Sequence, residues 1–241
     1  MTPADTDTLV TIPIFDEEHR VDDLLARLRA SLPAGIDVLF VDDASTDATS
    51  ERIAKAGFEA LRHPHRRGCG PSVRTGLDAG RDRGYRFLAV MAGNGKDDPA
   101  HLSRILAPLR AGGADFVQGS RYLPGGGHAN MPAYRKLGTR AYSLLFSLLT
   151  GQRIRDATNG FRALRRELLD DRRIDLDQAW LVDYEVESYL FAQALRLGYR
   201  VTEVPVTKLY PKAGAYTKMR AFRGWWSHFR PALLLALRLR R

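Results

Sequence analysis

Cysteine occurs once in the 241 residues, at Cys69. A single cysteine excludes an internal disulfide, and with it the disulfide-stapled secreted class; it fits a reducing cytoplasm. Long hydrophobic runs are missing too. LLFSLL (Leu144 to Leu149) and ALLLAL (Ala232 to Leu237) fall far short of the roughly 20 residues a bilayer-spanning helix needs. The first residues, MTPADTDT, are polar and acidic, so no signal peptide is expected. Acids are absent from Lys218 to Arg241, whereas Lys218, Arg220, Arg223, Arg230, Arg238, Arg240 and Arg241 are basic. Much of the net charge of +9 therefore sits at the C-terminus. Such a balance points to a polyanionic partner, whether nucleic acid, anionic lipid or phosphorylated ligand. Few aromatics are interleaved with basic residues elsewhere and no nucleic-acid motif is visible, so nucleic acid is not the expected partner.

What is present is one core's worth of apolar residues, 44% of the chain. TLVTIPIF (Thr8 to Phe15) and IDVLFVDD (Ile36 to Asp43) read as buried strands. Between them Val21, Leu24, Leu25, Leu28 and Leu32 share one face of an amphipathic helix. STDATSERIAKAG follows as a helix that Ser45 or Asp47 would cap. FEALRH is a short third strand, GPSVRTGLDAGRDRG a helix ending at Gly84, and YRFLAVMAG a fourth strand. Pro99 to Arg110 is a helix and ADFVQGSRY a fifth strand. This alternation predicts an α/β fold, a Rossmann-like, mostly parallel sheet flanked by helices. Ligands then bind where loops leave the carboxyl ends of the strands: IFDEE, VDDAST, RHPHRRG, MAGNGKDD and GSRY. Further on, LPGGGHANMP is a loop and Arg135 to Thr150 a helix. DATNGFRALRREL is a loop or short strand leading into a helix. LVDYEVESYLFAQALRLG reads as a helix ending at Gly198, YRVTEVPVTKLY as a strand and KAGAYTKMR as a basic loop. The tail FRGWWSHFRPALLLALRLRR reads as an amphipathic helix broken near Pro231. The expected organisation is a domain over 1–220 followed by a basic amphipathic tail over 221–241.

Neighbouring side chains of a strand point to opposite faces, so Asp42 and Asp43 divide their work. One can face a ligand and the other brace the loop; capping alone explains Asp47 but not the pair. The stretch VMAGNGKDDP raises a harder question. Its acids, Asp97 and Asp98, come late, after Ala92, Gly93 and Asn94.

In this order, TIPIFDEE, FVDDASTDAT, RRGCGPSVRTGL, DATNGFRAL and EVES followed by LGYRVTEVPV resemble a known set of motifs. They are those of the family-two, inverting glycosyltransferases of GT-A fold, and among them the dolichyl-phosphate mannose synthase-like, polyprenyl-phosphate glycosyltransferases. The resemblance implies a nucleotide-binding set of Pro13, Phe15, Glu17, Asp42, Asp43, Arg67 and Gly68. Asp16 stands where the family has Asn, and Arg74 is a further phosphate candidate. The family's Asp-x-Asp, which holds Mg²⁺ or Mn²⁺ against the sugar diphosphate, falls on Ala92-Gly93-Asn94. Several arrangements stay open. Asp97 or Asp98 supplies the missing charge; Lys96 neutralises the diphosphate in the metal's place; the metal binds mainly through the diphosphate with Asn94 as a weak ligand; or the enzyme is inactive. The resemblance also implies that Asp156, Asn159 and Arg162 serve transfer, as base or as positioning groups. Glu185 and Glu187, two apart, cannot share a helix face, so one is expected in the site and the other in solvent; the resemblance implies that either serves as base or acceptor-site residue. Arg121, Lys212, Thr217 and Lys218 are candidates for the diphosphate or an acceptor phosphate. His128, among glycines, is read as a plain loop residue.

Trp225, Trp226 and Phe229 with Leu233 to Leu235, flanked by Arg, suit an anionic membrane surface. The same helix could pack on the catalytic domain or on a second copy in a homodimer. The expectation is a cytoplasmic glycosyltransferase, peripheral on the inner face of the membrane. It passes a sugar from a UDP- or GDP-sugar to a polyprenyl phosphate. A soluble sugar, glycoside or natural-product acceptor is the rival, and a non-catalytic nucleotide-sugar-binding protein the alternative of another class.

Overall fold

A computed structural model describes residues 6–211 and 221–240. The first half alternates as its sequence predicts: β1 (Thr8–Ile14), α1 (Glu18–Ser31), β2 (Ile36–Asp42), α2 (Thr49–Lys55), β3 (Glu59–Arg62), α3 (Cys69–Asp82), β4 (Phe87–Val90), α4 (Leu102–Arg110) and β5 (Phe116–Ser120). The second half holds β6 (Gly127–Ala129), α5 (Ala133–Thr150), β7 (Arg162–Arg165), α6 (Glu167–Asp170), α7 (Glu185–Arg196), β8 (Val201–Pro205), β9 (Thr207–Leu209) and α8 (Ala221–Ala236). The main sheet has the order β3-β2-β1-β4-β7-β5-β8, and β6 pairs with β9 beside it. Every neighbour in the main sheet is parallel except β7, which is antiparallel to β4 and to β5. This exception shapes the site. The carboxyl ends of β1 to β5 open on one edge, and β7 begins at that edge, with Arg162 opposite Val90 and Gln118.

Side-chain alternation along the strands builds two apolar layers. Leu9, Leu39, Val41, Leu88, Val90 and Phe116 pack with Leu77 of α3, Phe146 of α5 and Phe191 of α7. Val10, Ile12, Val38, Phe40, Phe87 and Val117 face the other way, against Val21, Leu24 and Leu28 of α1 and Ile105, Leu106 and Leu109 of α4. Each such side chain contributes about 1.5–3 kcal/mol on burial. Helix α3 lies flush on the sheet because Gly76 and Gly80 face it. A Cβ at these positions would stand 2.0 Å from Thr11 Cγ2 and 2.2 Å from Leu88 Cδ2.

Several boundaries differ from the sequence reading: the expected loop LPGGGHANMP holds the short strand β6, and the helix expected from Pro99 opens with a 3-10 turn before α4. YRVTEVPVTKLY is two strands, because Pro205 brings no N–H to the ladder and the chain turns away to pair β9 with β6. The helix expected from Leu181 starts at Glu185, whose carboxylate accepts the Asp183 N–H at 2.7 Å. The second helix begins at Thr49, where Asp47 accepts the Thr49 N–H at 3.0 Å, while Ser45 serves the neighbouring loop. Helix α8 runs unbroken through Pro231. Tertiary contacts hold it there: Ala232 and Leu235 enter the core, the Tyr142 hydroxyl donates to the His228 carbonyl at 2.6 Å, and Arg230 pairs with Glu185 at 3.0 Å. The Trp225 ring crosses α5 at Gly138, 2.9 Å from where a Cβ would stand. Among the described residues no helix is long and apolar enough to cross a membrane.

Candidate active site

Two buried acids organise the β1–β2 end of the edge. Asp42 accepts the Ser45 N–H at 3.0 Å and the hydroxyls of Ser45 and Ser50, with Arg62 at 3.4 Å. Asp43 turns the other way, toward the β3–α3 loop. It accepts the main-chain N–H groups of Arg67 and Gly68, each at 2.8 Å, and lies 2.9 Å from His63 Nδ1. His63 in turn reaches Thr75 Oγ1 at 3.0 Å through Nε2. The pair does diverge as strand geometry requires, and each member braces a different loop. Gly68 sits at φ 103, the left-handed side that favours glycine. Pro13 lies in β1 with its carbonyl accepting the Gly93 N–H at 3.2 Å. Phe15 carries the Arg66 guanidinium over its ring at 4.1 Å, a stacked cation that the sequence reading passed over. Asp16, at φ 45, accepts the Thr46 N–H at 2.7 Å. The Glu17 carboxylate pairs with Arg20 at 2.8 Å. Arg74 donates to the Leu176 carbonyl and pairs with Asp177 at 3.4 Å, away from the edge.

After β4 the chain cannot carry a side chain at position 93. A Cβ there would lie 2.6 Å from the Pro13 carbonyl oxygen and 2.9 Å from Ile14 Cβ. Arg27 of α1 fixes the loop by donating to the carbonyls of Gly95 and Asp97 at 2.7 and 3.1 Å. Asn94 Oδ1 accepts the Lys96 N–H at 3.3 Å. Asp97 is 1% exposed; one carboxylate oxygen accepts the Ala92 N–H at 3.1 Å and the other lies 2.8 Å from Lys208 Nζ. Lys208 also donates to Asn159 Oδ1 at 3.0 Å. Asp98 accepts the Ala100 N–H at 3.0 Å, capping the single turn Pro99–His101. Lys96 is buried, with its ammonium 5.6 Å from the Tyr210 ring centroid, and Arg135 stands 5.9 Å from the same ring. Burial first, then the like charges of Lys208 and Arg135, pull the Lys96 ammonium down to about 7.

These donors do not fit a carboxylate-held divalent cation. A hard cation takes carboxylate and carbonyl oxygens. Here Asp97 is already neutralised by Lys208, Asp98 caps a turn, and Asn94 is neutral. Among the described residues no three His, Cys, Asp or Glu side chains gather in a metal-binding cluster.

At the third corner Arg121 and Asp156 form a buried bidentate pair, Nε to Oδ2 and Nη2 to Oδ1, both at 2.7 Å. The Arg121 main-chain N–H adds a third bond at 2.9 Å. Burial pushes the Asp156 carboxyl up, but the Arg121 charge and hydrogen bonds outweigh it and hold it below the usual range. Arg121 also donates to the Tyr210 hydroxyl at 2.7 Å and to Thr158 Oγ1 at 2.6 Å, so little of its fork is left for a ligand.

Arg162, Glu185 and Glu187 lie behind this layer, and two expectations change there. Arg162 is fully buried and donates to the carbonyls of Glu187 and Asn159 at 2.7 and 2.6 Å, which ties β7 to α7. Neither glutamate is in solvent. Glu185 anchors Arg230 of α8, and Glu187 lies 3.7 Å from Arg162 Nε, where burial raises its carboxyl. Both fit inside because α8 brings Arg230 to Glu185 and β7 brings Arg162 to Glu187. Lys212, Thr217 and Lys218 lie outside the described residues. His128 is in β6, edge-on to the Tyr122 ring at 6.1 Å. Cys69 opens α3, and burial pushes its thiol up, away from reactivity. Lys208, Tyr210, Arg135 and His63 were missed from the sequence; only the basic count of VTKLYPK hinted at the first.

Residues 9–173 match the description Glycosyl transferase family 2. The chain is 37% identical over 204 residues to an undecaprenyl-phosphate mannosyltransferase of Micrococcus luteus, covering 83% of this chain and 82% of that one. It is 35% identical over 206 residues to a polyprenol monophosphomannose synthase of Mycolicibacterium smegmatis, covering 83% and 76%. Among solved structures, glucosyl-3-phosphoglycerate synthase of Mycobacterium tuberculosis, in complex with Mn²⁺, UDP-glucose and phosphoglyceric acid, superposes with a TM-score of 0.72 at 19% identity. The superposition covers 96% of this chain and 79% of that one, and shows the shared GT-A fold. With the sheet, its edge and these likenesses in place, the chain belongs to glycosyl transferase family 2 and is a glycosyltransferase.

Proposed function

We propose that this enzyme moves a hexose from a UDP- or GDP-sugar to a polyprenyl phosphate, with inversion at the anomeric carbon. The observation that carries the reading is the state of Asp156. A carboxylate held by a bidentate arginine and a main-chain N–H is a weak base. A hydroxyl acceptor needs a base, whereas a phosphate monoester arrives already anionic. One of its oxygens attacks the anomeric carbon, and the bond from that carbon to the diphosphate breaks. The electron pair leaves on the nucleoside diphosphate, and no proton has to move. The two relatives named for undecaprenyl phosphate and polyprenol support the same acceptor. In this scheme Asp43, Phe15, Glu17 and the Arg67–Gly68 turn shape the nucleotide end, and the Asp156–Arg121 pair braces the acceptor end.

The surface suits a lipid-borne acceptor. Tyr134, Leu137, Leu144 and Leu148 of α5 are 64–73% exposed and fall on one stripe of that helix. Beside the stripe a groove of about 670 Å³ is lined by Leu144, Leu148 and Ile154 together with Arg140, Arg153 and Arg155. Trp226, Leu237 and Leu239 of the α8 segment are exposed as well. Apolar stripe and flanking arginines together suit an anionic bilayer, with peripheral attachment on the cytoplasmic face.

The test is transfer of labelled hexose from UDP- and GDP-hexoses to polyprenyl phosphate in mixed micelles. Label in the lipid phase supports the reading; label only on soluble phosphorylated acceptors overturns it. Attachment has its own test. Leu144→Glu with Leu148→Glu is expected to lower partition onto anionic vesicles at least tenfold, and unchanged sedimentation removes α5 from the scheme.

A further inference from the structure

Helix α5 and the segment after it enclose the groove beside the apolar stripe, about 670 Å³ in volume. Its hydroxyls are spent on the backbone. Ser143 Oγ donates to the Thr139 carbonyl at 2.8 Å and accepts the Ala157 N–H at 3.0 Å. Ser147 Oγ donates to the Ser143 carbonyl at 2.7 Å and accepts the Ile154 N–H at 2.9 Å. Its arginines are different. Arg140, Arg153 and Arg155 are exposed, no acid lines the groove, and among the described residues none of the three pairs with a carboxylate. Surface arginines elsewhere do: Arg83 pairs with Glu59 at 2.6 Å and Arg200 with Asp115 at 2.7 Å. Of the two acids closest to the groove's end, Asp156 is held by Arg121, and Glu203 accepts the main-chain N–H groups of Arg155 and Asp156, both at 2.8 Å. We propose that this groove seats one anionic phospholipid of the bilayer, separate from the acceptor. The inference builds on the bilayer attachment proposed above.

The lining selects the occupant. Guanidinium forks suit phosphate oxygens. Arg140 lies over the Tyr122 ring at 5.1 Å, which places its side chain and leaves its charge in being. The carbonyl end of α5 opposes an anion with about half a charge, and three guanidinium groups outweigh it. Leu144 and Leu148 belong both to the groove and to the exposed stripe, where they are 65% and 72% exposed. The occupant therefore carries an anion at one end and hydrocarbon at the other. A soluble phosphate or an acidic peptide would leave the leucines in water. The reacting phosphate is a poor fit as well. It has to reach the Asp156–Arg121 corner, where both side chains are buried, whereas the groove arginines stand at the surface. Tyr122 joins the two places: its ring lies 5.6 Å from the Arg121 guanidinium. A phospholipid seated in the groove thus stops one aromatic ring short of the corner. It sets the acceptor end at headgroup level, where a lipid-borne phosphate arrives by lateral diffusion.

The experiment is calorimetric titration of dihexanoyl phosphatidylglycerol, below its micellar concentration, into the full chain. One-to-one binding is expected, at least tenfold tighter than for dihexanoyl phosphatidylcholine, with no binding of inorganic phosphate at the same concentration. Arg140→Gln, Arg153→Gln and Arg155→Gln together are expected to weaken phosphatidylglycerol by at least about tenfold, since each arginine meeting anionic lipid contributes about fivefold. Lys55→Gln, Arg172→Gln and Arg196→Gln remove the same charge from other exposed positions and are expected to leave the affinity within twofold. Equal losses from the two triple variants mean diffuse attraction and overturn the seat. Absence of phosphatidylglycerol binding overturns it too, as does inorganic phosphate binding as tightly as the lipid. A last arm separates the seat from the acceptor. In neutral detergent micelles the KM for polyprenyl phosphate should stay within twofold in the groove variant. A rise that matches the lost phosphatidylglycerol affinity makes the groove the acceptor's own and overturns the inference. Absence of any transfer to polyprenyl phosphate overturns the acceptor reading alone, because the lipid titration is read without it.

Discussion

At the end of β2 the buried Asp43 carboxylate meets the main-chain N–H groups of Arg67 and Gly68; after β4 the buried Asp97 carboxylate meets the ammonium of Lys208. Both acids sit on the same edge of the sheet, at strand ends one strand apart. The first is met by main-chain dipoles of the β3–α3 loop. The second is cancelled by a full charge and contributes none. One edge thus holds one acid braced by main-chain N–H groups and another braced by an ammonium group.

The comparison can be broken most severely at its charged end. Lys208→Met leaves Asp97 buried without a counter-charge, and urea unfolding is expected to show a loss of about 3–5 kcal/mol. Adding Asp97→Asn should recover most of it, since an amide needs only hydrogen bonds there; no recovery would mean that the pair is not coupled. At the dipolar end the effect is smaller. Asp43→Ala strands two N–H groups and His63, for about 1–3 kcal/mol in the same measurement. It should also weaken nucleoside binding; unchanged nucleoside affinity would remove Asp43 from the nucleotide end.

A third way of burying a titratable group, as its neutral form, gives the mildest test. His228 of α8 stacks on Tyr184 at 4.8 Å and contacts Ser188 Oγ at 3.2 Å. Burial, then the charges of Arg162, Arg135 and Arg121, pull it down to about 3. The folded value lies below the unfolded one, so the unfolded chain binds the extra proton. Stability is then complete above about pH 6.5 and falls as pH drops from there toward 3, at up to about 1.4 kcal/mol per pH unit. His228→Gln should flatten that slope in melts taken between pH 5 and 7; an unchanged slope would assign it to other groups.

Much of this was legible in the sequence. Buried apolar strand runs alternating with amphipathic helices through Arg110 pointed to the α/β class and the edge where loops gather, because those signals are local. The divergence of Asp42 and Asp43 followed from strand geometry alone. The second half was harder. DATNGFRAL carries a strand too short to show its direction, yet β7 lies antiparallel in the middle of the sheet and brings Asp156 and Asn159 to the edge. Pro231 reads as a helix break, and tertiary contacts keep α8 continuous: Ala232 and Leu235 in the core, Arg230 on Glu185 and Tyr142 on the His228 carbonyl. The glutamates of EVES were expected to split between site and solvent, and both are inside because α8 and β7 supply their partners.

The sequence by itself determined the strands, the helices and the family, since pattern and motif are properties of neighbouring residues. The tertiary structure alone decided which charges meet. Asp97 is neutral in effect, Asp156 is a weak base and Lys96 stands among cations because Lys208, Arg121 and Arg135 arrive from distant segments. An electrostatic environment depends on distance in space, and distance in space is set by sheet order and not by sequence order.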